Sequence, residues 1–320
     1  MSKVLITGSD GFVGSALTSA LLNSDYKIVM ASRTNERNSS AIAVGDINST
    51  TDWAVALRNC STVIHLAGRA HVLNERSQNP LESFREINSR GTINLARQAA
   101  KQGVKRFVFI SSIGVNGNIT TEKAFTSSSE PNPHSPYAIS KFEAENGIVE
   151  ICEYSGMEFV IIRPPLIYGA NAPGNFGKLV DWIQRGVPLP FASIKDNLRS
   201  LVSIENLIDL IEIVVSHPSA ANQTFLISDG VDISTVGLLT EIGVALNRPA
   251  RLFSVHPKIL RRAAQLVGMD SAATSLLDNL QVDISNTCKL LNWKPKVSVA
   301  GGLKNAFLSP EQRLFNSYKG

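Results

Sequence analysis

The feature that most limits the fold lies at residues 4–14. The run Val4-Leu5-Ile6-Thr7 passes through Gly8-Ser9-Asp10-Gly11-Phe12-Val13-Gly14 into an amphipathic stretch that ends near Leu22. A short apolar strand turning through three glycines straight into a helix opens a βα unit. A bare glycine triplet is a weak motif, and the flanking strand and helix give it meaning. The first glycine allows the tight turn. The second lets backbone approach a pyrophosphate. The third lets helix and strand pack closely, while the helix N-terminus faces phosphate charge. A plain βα turn is the competing reading.

The same alternation runs through the first half. Strands are expected at Val4–Thr7, Ile28–Ala31, Ala41–Val44, Thr62–Leu66, Arg106–Ser111 and Phe159–Arg163. Several are apolar nearly throughout, which suits parallel strands covered on both faces. Helices are expected at Gly11–Leu22, Thr51–Leu57, Pro80–Lys101 and Pro136–Tyr154. Two open on a polar residue and a proline, Asn79-Pro80 and Ser135-Pro136, an N-cap followed by a residue preset for the first turn. This order predicts an α/β fold, a doubly wound parallel sheet of the Rossmann type.

After Tyr168-Gly169 the texture changes. The stretch Ala170–Arg199 is rich in Gly, Pro and Asn, with a helical piece at Phe176–Arg185. A helix at Ile204–Val215, a strand at Thr224–Ile227, and helices at Thr235–Leu246, Pro257–Val267 and Ser285–Leu291 follow. The expected division is a dinucleotide-binding lobe, 1–169 with 200–228 returning to it. A smaller, mostly helical substrate lobe takes 170–199 and 229–320.

Composition sets outer bounds. With 320 residues, 43% hydrophobic, the chain can bury a large core. Its net charge of +4 comes without runs of like charge, so neither nucleic acid nor membrane is expected as partner. Cys60, Cys152 and Cys288 are far apart and form no CxxC, so no metal site is expected and a reducing compartment fits. The first apolar run breaks at Gly8, too soon for a signal segment, and no stretch is long enough to span a bilayer. A soluble, cytoplasmic protein is the expectation.

The end of the second strand bears on the cofactor. An NAD site usually carries Asp or Glu there for the adenine ribose. This chain has Ala31-Ser32-Arg33, a hydroxyl and a guanidinium able to grip a 2′-phosphate. NADP is therefore favoured, with NAD beside a solvent-facing Arg33 as the alternative. Asp46 and Ile47 fall at the expected adenine edge, and Leu66, Ala67 and Gly68 where the cofactor backbone would come close.

Tyr137 and Lys141 lie four apart at the start of a helix, so both project from one face. Ser111 and Ser112 end a strand, at the edge that faces ligands in a parallel sheet. Together, TGxxGxxG at Thr7–Gly14, Ser112, and Tyr137-Ala138-Ile139-Ser140-Lys141 resemble the extended short-chain dehydrogenase/reductases. More closely, they resemble the NAD(P)-dependent epimerase/dehydratase branch. The resemblance covers nearly the whole chain and is strongest up to Gly169. It implies Tyr137 as general acid/base, Lys141 on the nicotinamide ribose, and Ser112 bonding the reacting oxygen. A lysine charge about 4.5 Å from the phenol, at an effective dielectric of about 20, is worth roughly 3–4 kcal/mol. That would lower the tyrosine pKa by about two to three units. Asn88 matches an asparagine near the nicotinamide, and Arg163-Pro164-Pro165-Leu166-Ile167-Tyr168-Gly169 matches a pocket-wall strand and loop.

For the substrate, the resemblance implies phosphate contacts at Asn175 and Phe176, a uracil-holding segment at Leu189-Pro190-Phe191, and a diphosphate-binding Arg199. Arg69, His71 and His134 are weaker candidates, and Arg261-Arg262 reads as a solvated face. Family dehydratases carry an acid beside the catalytic Ser or Thr; here Ile113 and Gly114 follow Ser112, which argues against 4,6-dehydration. Two reactions remain. One is NADPH-dependent reduction of a 4-keto group on a UDP-linked 6-deoxy-N-acetylhexosamine, as in O-antigen sugar synthesis, and Ser32-Arg33 favours it. The other is 4-epimerisation of UDP-glucose or UDP-N-acetylglucosamine with tightly bound NAD. A non-catalytic NADP-binding regulator is a third class, which typically lacks the tyrosine. The resemblance implies a homodimer in which the helices Pro80–Lys101 and Pro136–Tyr154 form a four-helix interface, with Ile148, Val149 and Ile151 facing either the partner or the core.

Overall fold

The computed structural model describes residues 2–22, 24–70 and 79–308. The chain opens β1 (Lys3–Thr7), α1 (Phe12–Leu21), β2 (Lys27–Ser32), β3 (Ile42–Ala43), α2 (Ala54–Leu57) and β4 (Thr62–His65). A helical stretch follows as α3 (Pro80–Phe84), a π-helix over Arg85–Gly91, and α4 (Thr92–Lys101). Next come β5 (Arg106–Ile110), a 3₁₀ turn at Ile113–Val115, α5 (Pro136–Ser155), β6 (Glu158–Arg163) and β7 (Leu166–Tyr168). The remainder is α6 (Gly174–Gln184), β8 (Leu201–Ser203), α7 (Ile204–Ser216), β9 (Gln223–Leu226), α8 (Thr235–Ala245), α9 (Pro257–Leu266), α10 (Asp270–Leu277), α11 (Ser285–Leu291) and α12 (Val299–Phe307).

Seven strands form one parallel sheet in the order β3-β2-β1-β4-β5-β6-β9. The order reverses between β1 and β4, and ligands of open parallel sheets bind at such a switch point. Neighbouring residues along a strand serve opposite cores. Val4, Ile6, Val108, Ile110, Val160 and Ile162 face α1 and α7, packing with Leu17, Leu207, Leu210 and Ile211. Leu5, Val63, Phe107, Phe109 and Ile161 face α4 and α5, packing with Leu95, Ala99, Ala144 and Ile148. Both faces are covered, which explains why the strands read as continuous apolar runs. Ile148 therefore belongs to the core, while Val149 and Ile151 are half-buried.

Both proline-headed helices start as their sequences dictate. The Asn79 side chain accepts from Glu82 N at 3.2 Å, and Ser135 Oγ from Ala138 N at 3.1 Å. The expected single helix Pro80–Lys101 is not uniform, because its middle turns widen to a π-helix. Gly91 sits at the end of that segment, where a Cβ would meet Ile47 Cγ2 at 2.5 Å.

Short strands β7 and β8 pair in a separate parallel sheet, which the hydrophobic pattern alone does not reveal. They are held to α7 and α12 by a buried hub at Asp229. Its carboxylate accepts from Tyr168 Oη (2.6 Å), Ser203 N (2.9 Å) and Asn206 Nδ2 (2.7 Å). Asn206 in turn accepts from Lys296 N and Val297 N. Tyr168 is fully buried, so the pocket-wall role expected for it gives way to a core role. Its phenol must find a buried acceptor, and Asp229 supplies one. Tyr168→Phe should cost about 1.5–3 kcal/mol, the worth of a hydrogen bond to a charged group. The urea midpoint reads this loss.

Candidate active site

The site forms where β1, β4 and β5 end. Gly8 has φ +66°, and a Cβ there would lie 2.9 Å from Ala67 Cα. A Cβ on Gly14 would come within 2.0 Å of Gly8 O, so only glycine lets α1 start this close to β1. The Thr7 hydroxyl is held inside, bonded to His65 Nδ1 at 2.7 Å and accepting from Ala67 N at 3.3 Å. Gly11 caps α1 without a side-chain bond, so the first-turn N–H groups at Phe12 and Val13 have no capping side chain. The Phe12 and Val13 side chains turn away into the two cores. Leu66 packs against the sheet core, while Gly68 is exposed.

Three polar anchors fix α5 against this edge. Lys141 is 4% exposed, and its Nζ donates to Ile110 O at 2.8 Å, 4.4 Å from the centre of the Phe109 ring. Asn88, on the π-helix, accepts from Arg69 N (2.7 Å) and donates to Arg69 O (3.0 Å) and Ser140 Oγ (3.1 Å). Its amide thus clamps the loop after β4 to α5. One turn beyond Lys141, Glu145 holds Arg163 of β6 through two bonds of 3.0 and 2.6 Å. Arg163 also donates to Asn116 Oδ1 at 3.1 Å. Sequence reading missed this buried pair, although a charged residue inside the apolar strand Phe159–Arg163 is the visible trace of it.

The catalytic candidates sit on neighbouring backbone at this edge. A Cβ placed on Gly114 would stand 3.3 Å from both Ser112 Oγ and Ala138 Cβ, next to Tyr137. A Cβ on Gly68 would stand 3.6 Å from Lys141 Nζ and 3.0 Å from Asn88 Oδ1. Ser112 Oγ accepts from Gly114 N at 3.1 Å, a bond that uses a lone pair and leaves the O–H as a donor. Ile113 N donates to Pro164 O, so the buried Pro164 braces the turn that carries Ser112. The Tyr137 ring meets Phe84 edge-on at 6.0 Å, and the Arg69 guanidinium lies 5.5 Å from the same Phe84 ring. His134 is exposed, and His71 lies outside the described residues.

Electrostatics correct one expectation. Burial pushes the Tyr137 phenol up to about 12 instead of Lys141 drawing it down. The ammonium is itself desolvated, lowered to about 8, with Glu145 as the charge that supports it. It is spent on Ile110 O and the Phe109 face, so it does not act on the phenol in this arrangement. Behind it, His65 is driven to about 3 by burial and by Lys141, and bridges Thr7 and Thr92 as a neutral ring.

The residues fit a dinucleotide at its pyrophosphate, where the Gly8–Gly14 turn leaves no room for side chains. Buried Ser111 Oγ, at the end of β5, has no hydrogen-bond partner among the described residues, as suits a hydroxyl reserved for a ligand. At the adenine end, Ser32 Oγ donates to Thr34 O and exposed Arg33 lies 3.9 Å from exposed Asp46. A 2′-phosphate there would share the guanidinium with a carboxylate. Ile47 packs on Gly91, leaving its backbone at the edge.

The substrate candidates lie in the second lobe. Asn175 is exposed in the first turn of α6. Phe176 is 1% exposed and packs on Tyr168 at 5.7 Å, so a ligand would meet its backbone N–H, not its ring. Helical spacing puts the two neighbours on different faces. Phe191 is half-buried beside the same core. Arg199 Nη1 donates to Asp278 O (2.9 Å) and Thr274 O (3.4 Å) at the end of α10. Desolvation lowers Arg199 to about 10. Arg261 is not a solvated face: it pairs with Asp278 at 2.6 Å.

Lys141 gives the site a pH signature. Between about 8 and 10.5 the unfolded chain binds more protons at this position than the folded one, so stability rises with pH across that window. Below it, burying the charge is a constant cost of at most about 3 kcal/mol. Lys141→Met should abolish the rise, match or exceed native stability at neutral pH, and lose turnover. Urea midpoints on both sides of the window check the first two points.

A family model described as NAD dependent epimerase/dehydratase family matches residues 4–228. A UDP-glucose 4-epimerase of Vibrio cholerae is 44% identical over 318 residues, 97% of each chain. An N-acetyl-alpha-D-glucosaminyl-diphospho-ditrans,octacis-undecaprenol 4-epimerase of Escherichia coli O157:H7 is 27% identical over 79% of this chain and 75% of its own. Among solved structures, UDP-glucuronic acid 4-epimerase from Bacillus cereus in complex with NAD shares the fold at a TM-score of 0.77 and 20% identity, covering 99% of this chain and 98% of that one. UDP-glucose 4-epimerase from Thermotoga maritima with UDP-glucose does so at 0.76 and 19%, covering 99% of each. This chain belongs to the NAD-dependent epimerase/dehydratase family.

Proposed function

We propose that this enzyme inverts C4 of a UDP-linked hexose or N-acetylhexosamine, with NAD held through the catalytic cycle. One observation carries the reading. Ser112, just past β5, lies near Ala138 of α5, the helix that carries Tyr137 and Lys141; Lys141 Nζ bonds the last residue of β5; and Ile113 and Gly114, not an acid, follow Ser112. The Vibrio cholerae relative, alike over 97% of both chains, supports epimerisation over 4-keto reduction.

Tyr137 Oη takes the O4 proton as the C4–H bond breaks and returns it when that bond re-forms on the other face. Bound NAD supplies the hydride acceptor and donor, and a positive ring charge that favours the phenolate. Ser112 O–H donates to O4 and keeps it in line with Tyr137. Lys141 Nζ holds the nicotinamide ribose. Asn88 acts by positioning, since its amide is taken up by Arg69 and Ser140. The glycine turn Gly8–Gly14 and the uncapped N–H groups that open α1 would hold the pyrophosphate. The UDP moiety lies on the backbone at Asn175–Phe176, beside Phe191 and Arg199.

Ser32-Arg33 supports a second reading, NADPH-dependent reduction of a UDP-4-keto-6-deoxy-N-acetylhexosamine, in which Tyr137, held neutral by burial, donates the proton. Proximity of Asp46 to Arg33 weighs against it. A homodimer through α4 and α5 belongs to the proposal; exposed Tyr154 and half-buried Ile93 and Ile151 offer its surface.

The experiment is incubation of the purified protein with UDP-glucose and UDP-N-acetylglucosamine, with products followed by NMR. C4 inversion without added cofactor, and stoichiometric NAD released on denaturation, are expected. Tyr137→Phe should cut turnover at least about 10²-fold and leave NAD bound. Turnover only of 4-keto sugars, with consumption of NADPH, would replace this reading by the second.

A further inference from the structure

The α9–α10 hairpin carries an apolar face that neither core uses. Ile259, Ala263 and Leu266 follow a spacing of four and three, so they share one side of α9. Ile259 is 60% exposed, Leu266 88% and the adjoining Val267 67%. No residue of α9 is fully buried. Its opposite side, Leu260, Arg261 and Ala264, is half-buried. Exposed Met269, beyond the end of α9, and Phe253, before its start, add to the apolar surface.

Along the chain, the stretch 242–269 that carries this face holds basic residues and no acidic one, and Asp270 opens α10 beyond it. The basic residues are Arg248, Arg251, Lys258, Arg261 and Arg262. Arg261 is used internally, against Asp278. Lys258 and Arg262 are exposed on α9 itself, flanking Ile259 and Leu266. An apolar stripe edged by lysine and arginine is complementary to a surface with an anionic skin over an apolar interior. A protein partner would have to match a stripe with no acidic residue to fix its register, whereas a lipid headgroup layer asks for none.

The hairpin is also braced from behind. Arg199 holds the last carbonyls of α10, and Arg261 holds Asp278. The face can therefore meet a surface without losing support. Among the described residues no helix is long and apolar enough to cross a membrane, so any contact is peripheral.

We infer that α9, through Ile259, Leu266 and Val267 with Lys258 and Arg262 at their border, docks this enzyme on an anionic lipid bilayer. The sequence reading saw no membrane partner because the overall charge is modest; the folded lobe gathers basic and apolar residues on one face. Docking does not depend on which reaction the active site performs.

The test is cosedimentation of the full-length protein with vesicles of phosphatidylglycerol and phosphatidylethanolamine in equal parts, against pure phosphatidylcholine. Binding to the anionic vesicles, weakened by salt, is expected. Leu266→Asp and Ile259→Asp should each weaken it about tenfold or more, as should Arg262→Glu. All three positions lie outside the active site and are open to solvent, so melting temperature and turnover of soluble substrate should stay at native values. Absence of vesicle binding would overturn the proposal. So would equal binding to phosphatidylcholine, or binding indifferent to the three variants. Concentration-dependent self-association in analytical ultracentrifugation that Leu266→Asp abolishes would assign the face to a second copy of the chain and overturn it as well.

Discussion

Everything the active site can do depends on the buried polar bonds that fix the rotation of α5. The helix carries Tyr137 and Lys141 on one face; apolar packing is non-directional, and directional polar bonds add register to it. Glu145–Arg163 ties it to β6, Asn88–Ser140 to the π-helix, and Lys141–Ile110 to β5. Each bond is directional, and removing one member of the ion pair would leave a buried charge uncompensated, at a cost of about 3–5 kcal/mol. The consequence is a phenol and an ammonium held at the crevice with little freedom.

That arrangement carries electrostatic strain. Lys141 is charged in a place that disfavours charge, and Tyr137 in a place that favours its neutral form. Glu145, itself occupied by Arg163, is the charge that supports the ammonium, with Ile110 O and the Phe109 face beside it. A negatively charged dinucleotide brought to the same crevice is therefore matched to an existing imbalance.

The second lobe is joined to the first by a different device. Asp229 gathers Tyr168, Ser203 and Asn206, so that β7, β8, α7 and α12 meet at one carboxylate. Tyr168 and Phe176, to which the family resemblance gave a pocket-wall and a phosphate-contact role, have their side chains consumed in building this junction. The Arg199 guanidinium is likewise engaged, on carbonyls at the end of α10, while the exposed backbone at the start of α6 is not covered by these contacts.

The order of strands and helices was readable in the sequence because parallel strands covered on both faces must be apolar throughout and the helices between them must be striped. The glycine turn was readable for a steric reason: no side chain fits at Gly8 or Gly14. Tyr137 and Lys141 could be paired because four residues is one helical turn. The strands β7 and β8 escaped, being three residues each and paired across more than thirty positions of chain. So did the Glu145–Arg163 pair, since nothing local links residues eighteen apart on different elements. The sign of the Tyr137 shift was misjudged because spacing gives the distance between two side chains but not their burial or their other partners. Sequence by itself thus determined the sheet, the glycine turn and the shared helix face of Tyr137 and Lys141, all set by short-range sterics and periodicity. Only the tertiary structure decided which polar groups are desolvated, which are spent on one another and which face of α9 stays bare, because solvent exclusion is a property of the packed whole.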